Sequence, residues 1–329
     1  MAAVSWKVAV VAGAALFSAA APAWAAKPGG GNGGSTSGPT AVYPGDFPDP
    51  AVVWTPSGYY AYATQTGDLH IQVMASSTDQ SWSSPTEALS GLPQWDLNNG
   101  LAANTWAPSV QSFGSNWVMW YTAYDSAANK QCLSVATSST PSGPFADTSG
   151  GAPAYCDTNG SIDPNIFVDG GSAYLLWKSN DNSVGLPTRL WSEPLNATGT
   201  ALASGTTPTK ILTEDAHWQS PSMEGPTMVA NGGTYYLFYG ANNWDSSSAG
   251  IGYATCASPV SACTDQSTGR AWLSSAGSAL GPSGPDIFTD GSGTHLAYHA
   301  WDGCVGYPGC NRALYIGSLS FTNGVPKLS

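Results

Sequence analysis

Charged side chains are scarce in this sequence, and basic ones are the scarcest. Only 9% of the 329 residues are charged, with 9 Lys and Arg against 21 Asp and Glu, which gives a net charge of −12. Nucleic acids and anionic membranes are bound through Lys and Arg, so an acidic surface of this kind repels both. The composition therefore argues against a nucleic-acid or membrane partner and favours a neutral one.

Long apolar runs and helical periodicity are also missing. No segment approaches the roughly 20 apolar residues that a membrane-spanning helix needs, and no capped window has apolar residues at i, i+3, i+4 and i+7. The apolar residues 8–17 follow Lys7 and precede Ala23-Trp24-Ala25, which is typical of a secretory signal peptide. We therefore predict a secreted, extracellular protein that loses Lys7 on processing and so has a mature net charge near −13. Its expected segments are a signal peptide over residues 1–25, a flexible Gly-, Ser- and Pro-rich linker over residues 26–40 and one folded domain over residues 41–329.

The cysteines do not have the spacing of a metal site. The sequence contains no Cys-x-x-Cys pair and only four His, which argues against structural zinc. Six cysteines in a secreted chain fit disulfides instead. Several connectivities are open, and we expect the most local one: Cys132 with Cys156, Cys256 with Cys263 and Cys304 with Cys310.

What the sequence does contain is a fivefold repeat. An acidic or polar residue beside a proline leads into an apolar run, a Gly-containing turn and a second run rich in aromatic residues. The marker prolines are Pro50, Pro108, Pro164, Pro226 and Pro285, at spacings of 58, 56, 62 and 59 residues. Five units of about four short strands predict an all-β fold, a five-bladed β-propeller, because a single blade cannot bury both of its faces alone. A two-sheet sandwich is the alternative, but it would not produce five equivalent units.

Three of the five marker positions carry an acid: Asp49, Asp163 and Glu224. The first strand of each unit is expected to run beside the central channel, so these acids should meet at one mouth of it. Like charges held that close cannot all ionise freely, and their pKa values should split, which indicates a chemical role. The alternative is turn chemistry, in which each acid accepts hydrogen bonds from nearby backbone N–H groups. Recurrence at matching positions favours the chemical interpretation.

The motifs around these acids form an ordered set over residues 43–327. They are Gly45-Asp46-Phe47-Pro48-Asp49-Pro50, Trp106-Ala107-Pro108, Ser161-Ile162-Asp163-Pro164, Leu176-Trp177-Lys178-Ser179-Asn180, Met223-Glu224-Gly225-Pro226, Tyr298-His299-Ala300-Trp301 and Arg312-Ala313-Leu314-Tyr315. In this order and spacing they resemble glycoside hydrolase family 43. The resemblance implies an inverting glycosidase on a five-bladed propeller that acts on arabinose- or xylose-containing plant polysaccharides. It also implies that Asp49 is the general base, that Glu224 is the general acid with a raised pKa, and that Asp163 tunes and orients this acid.

Further site residues follow from the resemblance and from the positions of aromatic residues near the blade mouths. His299 matches a histidine that in many members binds an axial ion, often calcium, largely through water; the alternative is a buried histidine hydrogen-bonded to a neighbour. Arg312 matches an arginine that reaches the innermost sugar, with a surface ion pair as the alternative. Trp106, Trp244 and Trp301 are candidates for stacking on sugar rings, against inter-blade packing. Apart from this structural calcium ion, no cofactor is expected for the chemistry.

Two departures from the family's pattern stand out. Ser109 follows Trp-Ala-Pro where many members have an acid, and the segment over residues 281–286 replaces a Gly-Pro-Gly-His motif. The loop between Cys304 and Cys310 is expected beside the mouth of the site, where it can wall the cleft into a pocket and favour exo action.

The expected activity is that of an α-L-arabinofuranosidase or an arabinan 1,5-α-L-arabinosidase. The preference over a β-xylosidase rests on the Leu-Trp-Lys-Ser and Tyr-His-Ala-Trp segments, which look most like arabinan-acting members. The expected partner is arabinan, arabinoxylan or their oligosaccharides, bound by a monomer. A carbohydrate-binding propeller without catalysis is the alternative from another class, and the survival of all three acids argues against it.

Overall fold

The computed structural model of the chain describes residues 38–96 and 104–329. The predicted signal peptide and most of the predicted linker lie outside these ranges. Within them, the chain forms twenty β-strands and two 3-10 helices, Asp181–Val184 and His217–Gln219. Neither helix of the described part is long and apolar enough to cross a membrane.

The strands form five sheets of four antiparallel strands each, joined in sequence order within every sheet. This is the five-bladed β-propeller that the repeat predicts, and the fold prediction is confirmed. The bounds, blade by blade, are β1 (Ala51–Thr55), β2 (Gly58–Ala63), β3 (Gln72–Ser76) and β4 (Thr86–Glu87); β5 (Trp106–Phe113), β6 (Asn116–Asp125), β7 (Lys130–Ser138) and β8 (Ala146–Asp147); β9 (Ser161–Asp169), β10 (Ser172–Ser179), β11 (Arg189–Pro194) and β12 (Thr209–Thr213); β13 (Met223–Asn231), β14 (Thr234–Ala241), β15 (Gly250–Cys256) and β16 (Cys263–Asp265); β17 (Ala279–Thr289), β18 (Thr294–Asp302), β19 (Arg312–Thr322) and β20 (Val325–Leu328).

Each blade begins with the same backbone feature. The residue before every marker proline has a left-handed φ: Asp49 (51°), Ala107 (44°), Asp163 (56°), Gly225 (58°) and Gly284 (56°). Glycine adopts this conformation without steric cost, whereas the three residues with a Cβ are held in it at about 1–3 kcal/mol each. All five marker prolines line one cleft. The repeat in the sequence thus marks a backbone turn at one mouth of the channel, which lies just before the innermost strand in the first blade and within that strand in the other four.

The hydrophobic core lies between the blades rather than within them. Five clusters of buried apolar side chains each combine residues of two neighbouring blades, and the fifth cluster joins the last blade to the first. The second strands supply the largest buried rings, among them Trp120, Trp177 and Tyr239. Burying both faces of every sheet in this way is what makes a blade stable only beside its neighbours.

Backbone hydrogen bonds close the ring between the first and fifth blades. The N–H of Val42 donates to the carbonyl of Leu314 on β19 at 2.9 Å. At the axis, the N–H of Val52 on β1 donates to Oδ2 of Asp286 on β17 at 2.8 Å. The segment before β1 and β1 itself are therefore both hydrogen-bonded to the last blade.

The three expected disulfides are present. Cys132 on β7 is bonded to Cys156, Cys256 on β15 to Cys263 on β16, and Cys304 to Cys310 in the loop between β18 and β19. The most local pairing that we expected from the sequence is confirmed.

Crowding at the axis gives a prediction about stability. A Cβ on Gly284 would lie 2.7 Å from Nδ1 of His299 and 3.1 Å from Cα of Asp49, whereas one on Gly225 would meet its nearest atom at 3.4 Å. Both glycines have the same left-handed φ. Gly225→Ala should lower the free energy of unfolding by about 1–2 kcal/mol, which is the conformational cost alone, and Gly284→Ala by about 2–5 kcal/mol because overpacking is added. Urea denaturation of both variants measures this, and equal losses would contradict it.

Candidate active site

The cleft at the channel mouth brings the three predicted acids together. Asp49 lies just before β1, Asp163 on β9 and Glu224 on β13, and all three line the cleft with the marker prolines. About 390 Å³ of empty space is present there, which includes space open to solvent. Acids from the first, third and fourth blades therefore face a common space.

Asp49 is oriented by contacts at both carboxylate oxygens and at its backbone. Oδ2 accepts a hydrogen bond from Oγ1 of Thr64 at 2.6 Å, and Oδ1 lies 3.8 Å from Nη1 of Arg312. The backbone N–H of Asp49 donates to Nδ1 of His299 at 3.0 Å. Thr64 also accepts from the N–H of Ala107 at 2.8 Å, which ties Asp49 to the second blade. Sequence analysis missed Thr64, because no motif distinguishes it from other strand threonines.

Glu224 is paired with a buried lysine. Nζ of Lys178 lies 3.3 Å from Oε2 of Glu224, and the lysine side chain is only 1% exposed. Ser222 accepts a hydrogen bond from Lys178 at 2.9 Å and donates one to Glu224 at 3.2 Å. In the sequence, Lys178 is part of a family motif but carries no assigned role. A basic residue within the apolar run of β10, in a chain with so few basic residues, was the signal that could have identified it.

The pKa of Asp163 is raised above its ordinary value. Burial and the neighbouring carboxylate of Glu224 raise the pKa of Asp163 to about 7, and Asp49 adds to this shift while Lys178 opposes it. Oδ2 of Asp163 accepts from the N–H of Gly225 at 3.0 Å. We expected a raised pKa at Glu224, and the structure places one at Asp163. Near neutral pH the carboxyl group of Asp163 is therefore partly protonated.

Beneath the acids, a second layer of polar side chains links blades around the axis, including the third and fifth blades, which are not neighbours. Asp286 accepts from Val52, as described above, and its Oδ1 accepts from Nδ2 of Asn165 at 3.0 Å. Burial raises the pKa of Asp286 to about 6. Asp286 and Asn165 line both the cleft and the wider channel on its other side, so they separate the two spaces. Ser109, noted as a departure from the family's pattern, accepts from the N–H of Ile166 at 2.9 Å and links the second and third blades.

His299 is buried and hydrogen-bonded to Asp49. A neutral imidazole has one N–H and one lone pair, and burial holds the pKa of His299 well below its ordinary value. Nδ1 accepts from the N–H of Asp49, which places the proton on Nε2, a buried atom with no hydrogen-bond partner among the described residues. No group of three or more His, Cys, Asp or Glu in the described ranges is arranged to hold a metal ion. The hydrogen bond of our alternative interpretation is present, whereas an ion bound largely through water stays a prediction.

Aromatic side chains from the fourth and fifth blades enclose Arg312. Its guanidinium lies 4.9 Å from the ring centre of Trp244 and 5.7 Å from that of Tyr307. Trp301 is fully buried and stacks on Trp244 at 6.3 Å. A buried ring cannot stack on a sugar, so the structure corrects our expectation for Trp301, which supports Trp244 instead. Trp106 is half-buried at the start of β5.

Tyr307 is a residue that the sequence analysis missed. It belongs to the loop closed by the Cys304–Cys310 disulfide, and its hydroxyl accepts a hydrogen bond from Nε of Arg312 at 3.1 Å. The loop therefore lies beside the cleft, as expected. An aromatic residue in that loop was the available signal, but only the fold shows that it reaches Arg312.

Comparison with known proteins agrees with this architecture. The family model described as glycosyl hydrolases family 43 matches residues 39–326. A relative from Aspergillus flavus, a "probable arabinan endo-1,5-alpha-L-arabinosidase A", is 27% identical over 323 residues, covering 90% of this chain and 93% of that protein.

Solved structures share the fold. A thermostable family-43 glycoside hydrolase aligns with a TM-score of 0.74 and 24% identity, covering 89% of this chain and 95% of that one. An endo-1,4-beta-xylanase from Bacteroides thetaiotaomicron aligns with a TM-score of 0.73 and 24% identity, covering 88% and 96%. Since the family match extends from before β1 into β20, this chain is a glycoside hydrolase and belongs to glycosyl hydrolases family 43.

Proposed function

We propose that this glycoside hydrolase is a secreted, inverting enzyme that cleaves or releases α-L-arabinofuranosyl linkages in arabinan or arabinose-decorated plant polysaccharide. The observation that carries the proposal is the meeting of Asp49, Asp163 and Glu224 in one cleft. The choice of arabinose is supported by the arabinan-acting relative from Aspergillus flavus. The low number of basic residues also suits a neutral substrate.

In the proposed reaction, Asp49 is the general base. Its carboxylate removes a proton from a water molecule, whose oxygen attacks the anomeric carbon from the face opposite the leaving group. Thr64 and Arg312 hold the carboxylate in one orientation, and His299 fixes the backbone behind it. Inversion requires room for this water, which corresponds to carboxyl groups roughly 6.5–9.5 Å apart.

Glu224 is the proposed general acid. It gives its proton to the glycosidic oxygen as the bond from that oxygen to the anomeric carbon breaks, which leaves a carboxylate. The ammonium group of Lys178, 3.3 Å away, balances the charge that forms. Asp163 is proposed to hold the shared proton with Glu224 and to orient it, and a free acid is restored when the proton from water returns to the pair.

Arg312 and Trp244 are proposed to bind the sugar next to Asp49, and Trp106 to contact the sugar chain across the cleft. The side chain of Arg312 is only 11% exposed, and its Nη1 lies 3.8 Å from Oδ1 of Asp49, which places its positive charge beside the proposed base. Trp244 is 41% exposed, which leaves one face of its ring available for the C–H groups of a sugar. The steps above are carried by side chains of this chain alone, and none is assigned to a metal ion.

Hydrolysis of xylosides is the second candidate function, supported by the structural likeness to an endo-1,4-beta-xylanase. A panel of nitrophenyl α-L-arabinofuranoside, nitrophenyl β-D-xylopyranoside and linear arabinan separates the two. We expect hydrolysis of the arabinoside and of arabinan, with inversion of the anomer visible by NMR. Activity on the xyloside alone would replace arabinose with xylose in the proposal, and binding to arabinan without any hydrolysis would favour a non-catalytic propeller.

Removing either proposed proton-transfer group should nearly abolish turnover. Asp49→Asn and Glu224→Gln are each expected to lower kcat roughly 10²–10⁴-fold, because a positioned acid or base contributes about that much. Asp169→Asn is a matched control, since Asp169 lies at the other end of β9 and accepts a hydrogen bond from Tyr235. Turnover that stays at the wild-type level in both active-site variants would contradict the assignment.

The raised pKa of Asp163 predicts a pH dependence. The carboxyl group of Asp163 loses its proton as the pH rises through about 7, and this proton is the one proposed to supply the general acid, so kcat/KM should fall on the alkaline side with a midpoint near that value. Asp163→Asn should lower kcat and displace this midpoint, as measured by pH–rate profiles of both proteins.

Stability gives an independent check on the same pKa. In the unfolded chain Asp163 titrates near its ordinary pKa of 3.8, below the folded value of about 7. Its contribution to stability is therefore present below about pH 4 and is lost as the pH rises through about 7. The free energy of unfolding of Asp163→Asn, relative to wild type, should increase between pH 4 and pH 8. A constant difference would show that Asp163 has an ordinary pKa.

A further inference from the structure

Tyr307 stands at the centre of a hydrogen-bond chain that ends at Arg312, whose guanidinium lies beside Asp49. Its hydroxyl donates to Oδ1 of Asp46 at 2.6 Å and accepts from Nε of Arg312 at 3.1 Å. The same Oδ1 of Asp46 accepts from the backbone N–H of Arg312 at 3.0 Å. Burial raises the pKa of Tyr307, so the hydroxyl keeps its proton and donates to Asp46 throughout the neutral range.

Arg312 depends on this chain for its position. The guanidinium is nearly buried, and a buried cation needs hydrogen-bond partners to offset the loss of water. Its polar contacts are the hydroxyl of Tyr307 at Nε and, at 3.8 Å, the carboxylate of Asp49 at Nη1. The second distance is too long for a hydrogen bond. The hydrogen bond that Nε of Arg312 donates to the hydroxyl of Tyr307 therefore fixes the guanidinium beside Asp49.

The rings around Arg312 form an exposed aromatic wall. Tyr307 is 47% exposed and Trp244 41%, and their ring centres are 6.3 Å apart. Trp301 lies behind both, with its ring centre 4.8 Å from that of Tyr307. Aromatic faces of this kind are costly to leave in water unless a ligand covers them. The wall follows the fourth and fifth blades on the side of the cleft that holds Asp49.

We propose that Tyr307 is a positioning and specificity-determining residue: its hydroxyl holds Arg312 against Asp49, and its ring, with Trp244, forms a wall that closes this side of the cleft to a continuing sugar chain. The inference rests on the proposed hydrolase function and adds to it a preference for chain ends and short oligosaccharides over the interior of a long polymer. The loop closed by Cys304 and Cys310 is what presents this residue to the cleft.

Two variants separate the hydroxyl from the ring. Tyr307→Phe keeps the wall and removes the hydrogen bond, so kcat should fall about tenfold with little change in KM, since misplacing a charged group beside the base raises the barrier by about 1.4 kcal/mol. Tyr307→Ala removes both, so KM for the nitrophenyl glycoside should also rise about tenfold, while the ratio of activity on linear arabinan to activity on the nitrophenyl glycoside increases. The assays use whichever glycoside the wild-type enzyme hydrolyses, so a change from arabinose to xylose leaves the test intact.

Tyr235→Phe is the matched control, because Tyr235 donates to Asp169 at 2.7 Å with the same chemistry but at the other end of its blade. It should leave kcat and KM unchanged, and the melting temperatures of the two Phe variants should be similar. Unchanged kcat in Tyr307→Phe would overturn the positioning role. An unchanged polymer-to-glycoside ratio in Tyr307→Ala would overturn the wall.

Crystal structures of the wild type and of Tyr307→Phe test the positioning role without any substrate. The guanidinium of Arg312 should leave its place beside Asp49 in the variant, and an unmoved Arg312 would overturn the proposal. This readout stands even if the wild type hydrolyses none of the glycosides, a result that would refute the proposed function and not the role of Tyr307 in holding Arg312.

Discussion

The left-handed turn before each marker proline is the constraint on which the rest of this structure depends. It lies at or within the innermost strand of every blade, and it brings the residues beside the proline to the channel mouth. Two of the five positions carry Asp, which tolerates this conformation better than most residues with a side chain. In the fourth blade Gly225 takes the turn, and the acid is the residue before it, Glu224. The site of the three acids is therefore built on the same left-handed turn that recurs in all five blades.

The electrostatics of the site depend on the positions of a few basic side chains. The chain has only nine Lys and Arg, yet Lys178 contacts Glu224 and Arg312 faces Asp49. Asp163 has no such partner, and burial among acids raises its pKa. An acidic protein with scarce counter-charges can thus give neighbouring carboxyl groups different proton affinities, which acid–base chemistry at neutral pH requires.

Local features of the chain were predicted from the sequence more reliably than contacts between distant residues. The marker prolines, the hairpin turns and the nearby cysteine pairs are encoded within short segments, and each was predicted correctly. Predictions about contacts were less reliable: Trp301, expected to stack on a sugar, is buried. Its residue type was informative, but its neighbours come from other parts of the chain.

By itself the sequence predicted the five-bladed fold, the most local disulfide pairing and the three acids that meet in the cleft, because periodicity and spacing are properties of the chain. Only the tertiary structure decided that Asp163 carries the raised pKa, that Lys178 pairs with Glu224 and that Tyr307 holds Arg312. Asp46 and Tyr307 are 261 residues apart in sequence. Contacts of that kind depend on the way the blades close around a common axis, and that geometry is set by side-chain packing between sheets, which no local pattern encodes.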